Sequence, residues 1–223
     1  MCGRFTLRTQ AADLAEVFQL RRTPETQPRY NIAPTQLVAV LRQAGKDRKL
    51  SLIRWGMVPS WSDDPNSGRP LFNARGETVA KKPEFRSAFR RRRCLIPADG
   101  FYEWKKTEDG ARQPFFIRLA KDGPFAFAGL WECWRRDDAP AIESCTIITT
   151  EANKMLRHLH DRMPVILAAA DFDAWLNPTI DDPETLHGLI QPFPAEELTA
   201  YRVSALVNSP RNESPECIVR LSA

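Results

Sequence analysis

Apolar and polar residues alternate over much of the chain, which is the pattern of strands that bury one face of a sheet. The opening segment 2–8 places Phe5 and Leu7 on one face, so it predicts a strand that ties the start of the chain into a sheet. Other apolar runs bounded by turn residues also predict strands. These are 37–42, 50–61, 95–106, 114–120, 125–134, 144–150, 163–169 and 198–208, and the segment 95–106 is predicted to contain a turn as well as a strand.

Apolar spacing typical of helices occurs in fewer places. Residues 10–20 follow Thr9, a residue type that caps helices, and carry Leu14 and Phe18 on one stripe. Residues 82–94 repeat apolar side chains at helical spacing and end in cations, which suits the carboxyl end of a helix. Shorter helices are predicted over 151–160, 171–176 and 183–190.

Strands therefore dominate, and they do not alternate regularly with helices as a series of βαβ units would. The sequence predicts an α+β fold in which a mostly antiparallel, barrel-like sheet is flanked by short helices. No linker or repeat divides the chain, so we expect a single domain over residues 1–223. Residues 62–78 are rich in Pro, Gly, Asn and Asp, which predicts a long surface loop of the kind that often carries function.

Composition narrows the functional classes. The sequence has 32 Lys and Arg against 28 Asp and Glu, and this net charge of +4 permits a polyanionic partner without requiring one. Its five cysteines form no CxxC pair, which argues against a disulfide framework and a structural zinc site. No segment has the apolar pattern of a membrane span or a secretory signal. We expect a reduced, cytoplasmic protein, nucleoid-associated if bacterial and not secreted, that needs no metal or organic cofactor.

Cys2 is the first candidate for chemistry, because the chain "MCGRF" would begin with it once Met1 is removed. It would then carry an α-amine and a thiol on adjacent carbons, and both have a usable nucleophilic fraction near neutral pH. An aldehyde would condense with the amine to an imine, and the thiol would then add to the same carbon to close a thiazolidine ring. The alternative from position alone is a small apolar residue with no special role.

Three polar segments could assist this chemistry. Asn73 and Arg75 lie two apart in "FNARGE" and would share a face of an extended segment, although an Asx turn beside a solvated arginine is the alternative. Glu103 lies between aromatic residues in "FYEW", which would bury its carboxyl group, unless it occupies an exposed strand position. His160 and Arg162 in "HDRMP" are also two residues apart, and the histidine could transfer protons near neutral pH. The alternative is that His160 is an ordinary core or surface histidine.

Other segments suggest a nucleic-acid partner. Trp55 and Trp61 lie near arginines in "RWGMVPSW", a mixture that suits the stacking of unpaired bases, although tryptophans beside a strand are often core residues. The run of four arginines over 90–93 could contact phosphates or could form a solvated helix end.

Six motifs in order along the chain carry a family resemblance. These are "MCGRF", "YNIAPTQ", "RWGMVPSW", "FNARGET", "RCLIPADGFYEW" and "HDRMPVIL". Together they resemble the SRAP family, the SOS-response-associated peptidase domain proteins. The resemblance extends from Cys2 to the strand after Met163, and the segment beyond Leu167 has no diagnostic motif.

The resemblance implies a DNA-damage response protein that crosslinks itself to abasic sites in single-stranded DNA at replication forks, with a less secure description as a thiol autopeptidase. Since such a protein is consumed one molecule at a time, we expect a monomer. By motif, Cys2 would be the nucleophile, Asn73 the positioning group, and Glu103 and His160 the proton-transfer groups. The DNA contacts would be Arg4, Trp55, Trp61, Arg75 and Arg162.

Two other classes remain open at this point. Glutamine amidotransferases of the N-terminal-nucleophile type also begin with Met-Cys-Gly, but the chain lacks the glutamine-binding segments expected downstream in that class. A non-catalytic module that binds single-stranded DNA through Trp55, Trp61 and the arginines would show salt-sensitive binding that does not depend on Cys2.

Overall fold

The computed structural model describes residues 2–66, 70–137 and 139–222. Its strands are β1 (Phe5–Leu7), β2 (Arg29–Ile32), β3 (Leu37–Ala44), β4 (Asp47–Trp55), β5 (Asn73–Arg75), β6 (Arg93–Ala98), β7 (Gly100–Lys106), β8 (Arg112–Leu119), β9 (Phe125–Arg136), β10 (Ala139–Glu151), β11 (Arg162–Pro164), β12 (Ile166–Leu167) and β13 (Leu198–Arg202). Its α-helices are α1 (Ala11–Val17), α2 (Gly76–Val79), α3 (Arg86–Arg91), α4 (Phe172–Leu176) and α5 (Pro183–Gly188).

Five of these strands close into a barrel. β4 pairs with β3, β3 with β6, β6 with β9, and β9 with β10, all antiparallel. β10 then returns to β4 in parallel register at Ser144 and Arg54, which completes the ring. The predicted α+β class with a barrel-like, mostly antiparallel sheet is therefore confirmed. None of the helices in the described ranges is long and apolar enough to span a bilayer.

A second sheet has the strand order β13-β8-β7-β1-β2 and places the start of the chain between two neighbours. Phe5 of β1 is paired with Phe101 of β7 on one side and with Ile32 of β2 on the other. Its ring also packs edge-on against Trp55 and Phe127 in the core, with centroids 5.1 and 5.7 Å away. The opening segment is the strand that the sequence predicts, and it is held firmly just behind Cys2.

Asp99 fixes the far end of β1. It is 1% exposed and accepts hydrogen bonds from the hydroxyl groups of Thr6 and Thr9 and from the backbone N–H groups of Arg8 and Thr9. Thr9 therefore does not cap α1, as its position predicts, because its side chain is already bound to Asp99. Helix α1 begins instead after Gln10, whose side chain makes no capping hydrogen bond.

An Asp99→Asn substitution is expected to lower the free energy of unfolding by about 2 kcal/mol. The amide would place an N–H group opposite donors that now meet carboxylate oxygens, so at least one buried donor would lose its acceptor. Urea unfolding measures the change. Glu16→Gln on the exposed face of α1 is the control and should stay within about 0.5 kcal/mol of the parent protein. Equal stabilities for the two variants would contradict this account.

Local expectations fail in several places, and the strand predicted over 50–61, for example, ends at Trp55. Residues 154–159 form turns rather than a helix. The Asn153 side chain accepts the N–H groups of Met155 and Leu156 as a helix cap would, but the backbone bonds that follow, from Arg157 to Asn153 and from His160 to Leu156, are not consecutive, so no helix continues.

The last predicted strand ends at Arg202, beyond which a 3-10 turn begins. The predicted loop 62–78 contains β5 and runs into α2, which begins at Gly76 and ends at Val79, while residues 67–69 of that loop lie outside the described ranges.

The arginine run divides between two roles. Arg93 is 4% exposed, and its guanidinium donates to the carbonyl groups of Phe89, Trp175 and Ile180, which joins α3 to the segment after α4. It therefore cannot contact phosphates, whereas Arg90 and Arg91 are exposed.

Candidate active site

Asn73 and Cys2 meet at the end of the barrel. The Asn73 side-chain Nδ2 donates to the Cys2 carbonyl oxygen at 2.8 Å. This bond fixes the orientation of the amide, so its Oδ1 points the other way. Oδ1 is buried and accepts no hydrogen bond within the described ranges of the chain. A buried acceptor of this kind is available to a donor on a ligand or on the reacting amine.

Strand β5 positions Asn73. It lies parallel to the middle of β10, with Asn73 beside Ile147 and Arg75 beside Thr149. The chain then turns into α2 at Gly76, where a side-chain Cβ would lie 2.6 Å from the Cγ2 atom of Ile190 and 3.3 Å from the Thr149 carbonyl. Only glycine permits this close approach, so the short motif "NARG" has a structural requirement at its fourth position.

Glu103 reaches the same site from β7. The backbone N–H of Tyr102 donates to the Arg4 carbonyl at 3.0 Å, which brings the following residue of β7 alongside the start of the chain. Glu103 is 3% exposed, and this burial raises the pKa of its carboxyl group to about 7. The negative charge of Asp161 contributes in the same direction. The predicted burial of this carboxyl group is confirmed.

The Cys2 side chain is itself buried, at 0% exposure. Burial, followed by the negative charge of Glu103, raises the pKa of the Cys2 thiol well above its usual range. The thiol is therefore protonated at neutral pH. An enzyme that relies on a thiolate lowers this pKa instead, commonly with a neighbouring cation.

His160 lies beside the site with 32% of its side chain exposed. Its Nδ1 is 2.9 Å from the backbone N–H of Arg162 and 2.8 Å from a carboxylate oxygen of Asp161. Nδ1 cannot accept a hydrogen bond from the Arg162 N–H and donate one to the Asp161 carboxylate in the same protonation state. Burial lowers the pKa of His160, which favours the neutral ring, so Nδ1 accepts from Arg162 and the proton resides on Nε2.

The two arginines of the site differ in what they already bind. Arg162 forms a forked ion pair with Glu77, and its Nη2 also donates to the Thr149 carbonyl at 2.7 Å. Arg75 is exposed and has no ion pair within 4.0 Å among residues 2–66, 70–137 and 139–222. Arg75 is therefore free to meet a phosphate, whereas a phosphate could reach Arg162 only in competition with Glu77.

One predicted DNA contact is contradicted. Trp55 is 0% exposed, and its indole N–H donates to the Phe72 carbonyl at 2.9 Å, so it is a core residue and cannot stack on a base. Arg4 is half-buried and donates to the Asn31 side chain and to the Val207 carbonyl, both at 2.7 Å, so its guanidinium holds β1 in place and a phosphate could reach it only in competition with these partners.

Of the two tryptophans predicted to stack on bases, Trp61 is accessible, since it is 61% exposed. The sequence did not reveal Glu77, which forms the ion pair with Arg162, and it gave no role to Asp161, whose charge helps to raise the pKa of Glu103. Both lie inside quoted motifs, "FNARGET" and "HDRMPVIL", so the signal was present, but pairing between distant segments cannot be inferred from spacing along one of them.

The chain is similar in sequence to several curated proteins. The chain is 44% identical over 221 residues to the Abasic site processing protein YoqW of Bacillus subtilis (strain 168), covering 98% of this chain and 99% of that protein. It is 31% identical to the Abasic site processing protein HMCES of Xenopus tropicalis, covering 87% of this chain and 67% of that protein.

The fold also matches solved structures. The crystal structure of a protein from Bacteroides thetaiotaomicron superimposes with a TM-score of 0.89 at 24% identity, covering 99% of this chain and all of that one. A protein from Bordetella bronchiseptica gives a TM-score of 0.79 at 27% identity, covering 91% of this chain. The sequence profile of the family described as SOS response associated peptidase (SRAP) matches residues 1–210. The chain therefore belongs to the SRAP family.

Proposed function

We propose that this protein processes abasic sites in single-stranded DNA and forms a covalent thiazolidine crosslink through Cys2 after Met1 is removed. The observation that carries the proposal is the position of Cys2, whose carbonyl is held by Asn73 while its thiol is influenced by the charge of Glu103. The curated relatives are named as abasic site processing proteins, which supports the same substrate class.

The proposed reaction uses the two nucleophiles of Cys2 in sequence. The α-amine attacks the aldehyde carbon of the ring-opened abasic sugar, a C–N bond forms, and water leaves to give an imine. The thiol sulfur then bonds to the same carbon, and its proton ends on the nitrogen. The whole sequence releases one water molecule. A thiol that is mainly protonated suits this order, because the amine reacts first and the thiol follows within the same residue.

Glu103 supplies the proton transfers of this reaction. A carboxyl group with a pKa of about 7 is present in both protonation states near neutral pH, so it can accept a proton from the ammonium group and return one to the departing water. Asn73 Oδ1 would accept a hydrogen bond from the reacting amine or from a sugar hydroxyl group. Nε2–H of His160 would donate to the ring oxygen of the closed sugar and favour its opening.

The amine must be free for an imine to form, so Met1 has to be removed first. Removal by a cellular aminopeptidase and self-removal through Cys2, Glu103 and His160 give different results for a Glu103→Gln protein. Intact mass measures them directly. Retention of Met1 in that variant alone would support self-processing, and unchanged removal would contradict it.

The decisive experiment is a denaturing gel with abasic and intact single-stranded oligonucleotides side by side. The proposal requires a heat-stable adduct with the abasic strand only. Salt-sensitive binding without an adduct would favour a non-catalytic DNA-binding module. Glutaminase activity without an adduct would favour an N-terminal-nucleophile amidohydrolase, although the protonated Cys2 thiol does not suit that mechanism.

Substitution of the two arginines should separate DNA binding from stability. We expect Arg75→Ala to weaken binding to an intact oligonucleotide about 5-fold and to lower the slope of log K against log salt concentration by about 1, with no loss of stability. Arg162→Ala should also lower the free energy of unfolding, by about 1 to 2 kcal/mol, because Glu77 and the Thr149 carbonyl lose their partner. Fluorescence anisotropy and urea unfolding measure the two effects. An unchanged salt slope in Arg75→Ala would rule out the phosphate contact.

A further inference from the structure

A cleft of about 230 Å³ is lined by residues that include Leu71, two positions before Asn73 in the sequence. Its walls include Met57, Pro59, Trp61, Pro70 and Leu71. This volume is below the roughly 300–1,000 Å³ of pockets for drug-sized ligands, so it suits one small planar group.

The two walls of the cleft come together at Gly56. This residue has φ +131°, and a Cβ there would lie 3.2 Å from the Cβ of Pro70. Both the backbone conformation and the close approach favour glycine. Met57 and Leu71 then form an isolated antiparallel bridge, so these two lining residues are joined by a backbone hydrogen bond.

Trp61 forms an exposed wall whose position is set by the β9–β10 hairpin. The indole N–H of Trp134 donates to the Ser62 carbonyl at 2.7 Å, and Nη2 of Arg136 donates to the same carbonyl at 2.9 Å. These bonds anchor the chain immediately after Trp61, while the ring itself stays 61% exposed. A held aromatic face of this kind stacks on nucleobases without regard to their sequence.

Glu84 also lines the cleft, and one of its carboxylate oxygens is buried. Glu84 Oε2 is buried but accepts no hydrogen bond within residues 2–66, 70–137 and 139–222. Arg54 lines the same cleft, and in that described part of the chain it forms no ion pair with Glu84. Asp64, by contrast, already accepts from the Asn66 N–H at 2.8 Å. A buried carboxylate oxygen without a donor is costly, so the geometry calls for a ligand that brings an N–H group.

The position of the cleft relates it to the reacting sugar. Leu71 lies two residues before Asn73, and Asn73 contacts Cys2 directly. Two or three residues of extended chain span about 7 to 11 Å. Two or three stacked nucleotides cover the same distance, at about 3.4 Å each. A base close to the abasic site on the same strand can therefore reach the cleft.

We propose that this cleft binds one base of the DNA strand beside the abasic site, stacked on Trp61, with Glu84 accepting a hydrogen bond from the exocyclic amino group of that base. The site prefers cytosine to thymine, because cytosine offers an N4 amino donor where thymine offers a carbonyl oxygen. Glu84 is thus a specificity-determining residue. The inference rests on the proposed function, since it takes DNA with an abasic site as the ligand.

The test measures equilibrium binding of oligonucleotides that carry a stable abasic analogue without an aldehyde. All other positions hold thymine, and cytosine replaces it at one neighbouring position at a time, on both sides. We expect one position at which cytosine strengthens binding about 5- to 10-fold. Glu84→Ala should abolish that difference, whereas Trp61→Ala should weaken binding to both oligonucleotides alike. Glu108→Ala, which removes an exposed carboxylate elsewhere, should keep the preference.

A second measurement needs no variant protein. Cytosine with both N4 hydrogens replaced by methyl groups should bind the parent protein no better than thymine does. Equal binding of cytosine and thymine at every position, or a preference that survives in Glu84→Ala, would overturn the base-binding cleft. Adduct formation with the reactive abasic strand is measured in parallel, so an adduct without any base preference rejects the cleft alone, and the absence of an adduct rejects the proposed function.

Discussion

Cys2→Ser protein is expected to form no heat-stable adduct with abasic single-stranded DNA, a fall in yield of at least roughly 100-fold. The α-amine would still form an imine, but the serine hydroxyl is a much poorer nucleophile for closing the ring. The reaction would stop at a linkage that water reverses. A denaturing gel after heating measures the product.

Reduction with borohydride sharpens this test. It converts an imine to a stable amine, so Cys2→Ser should give a heat-stable product when the reductant is present and none when it is absent. Cys133→Ser is the matched control, because Cys133 is a partly exposed thiol outside the site, and it should react like the parent protein. A heat-stable adduct of Cys2→Ser or Cys2→Ala without reductant would refute the thiazolidine mechanism.

Glu103→Gln should make the protein both more stable and far less reactive. The pKa of Glu103 is about 7 in the folded protein and 4.5 as the reference value, so the folded state disfavours the charged form. The contribution of protonated Glu103 to the free energy of unfolding is fully present below about pH 4.5 and is lost as the pH rises through about 7. The neutral amide avoids this loss, so the variant should be more stable by about 3 kcal/mol at pH 8 and nearly equal to the parent protein below pH 5.

Reactivity should change in the opposite direction. The rate of adduct formation by the parent protein should rise with pH through about 7 as Glu103 becomes able to accept a proton, and Glu103→Gln should lack this rise and react at least about 100-fold more slowly. Urea unfolding at pH 5 and pH 8, together with single-turnover rates, measures both effects. Glu108→Gln is the control for a carboxylate exposed to solvent. An equal stability change at both pH values would contradict the assignment of the raised pKa to Glu103.

The sequence was sufficient to predict the class of fold and the strand at β1, because alternation reports local structure directly. The motifs of the family resemblance also implied that Asn73 and Glu103 lie near Cys2, and both do. Asn73 is an example, since its place in "FNAR" suggested a positioning role and its side chain does bind the Cys2 carbonyl. The roles that remain proposals are chemical steps, which depend on a substrate.

Which of the predicted DNA-contact residues are exposed could not be predicted from the sequence, for a physical reason. Trp55 and Trp61 look alike in sequence, yet one lies on an inward-facing strand position and the other on a loop, and only the closure of the barrel decides which of them is exposed. Arg4 and Arg75 differ in the same way, since Arg4 hydrogen-bonds to groups of the protein itself and Arg75 is exposed. A guanidinium can bind acceptors within the protein as easily as it binds a ligand. The partners of Arg4 are 27 and 203 residues away along the chain, beyond any local pattern.

The full burial of the Cys2 side chain bears on the lifetime of the unreacted protein. In the proposed mechanism each molecule reacts once, so a thiol oxidised by peroxide or capped by glutathione before it meets a lesion is a molecule lost. Both side reactions proceed through an accessible thiolate. A thiol that is buried and held in its protonated form while Met1 is still attached resists them, so the sulfur is preserved until removal of Met1 frees the amine for reaction with damaged DNA.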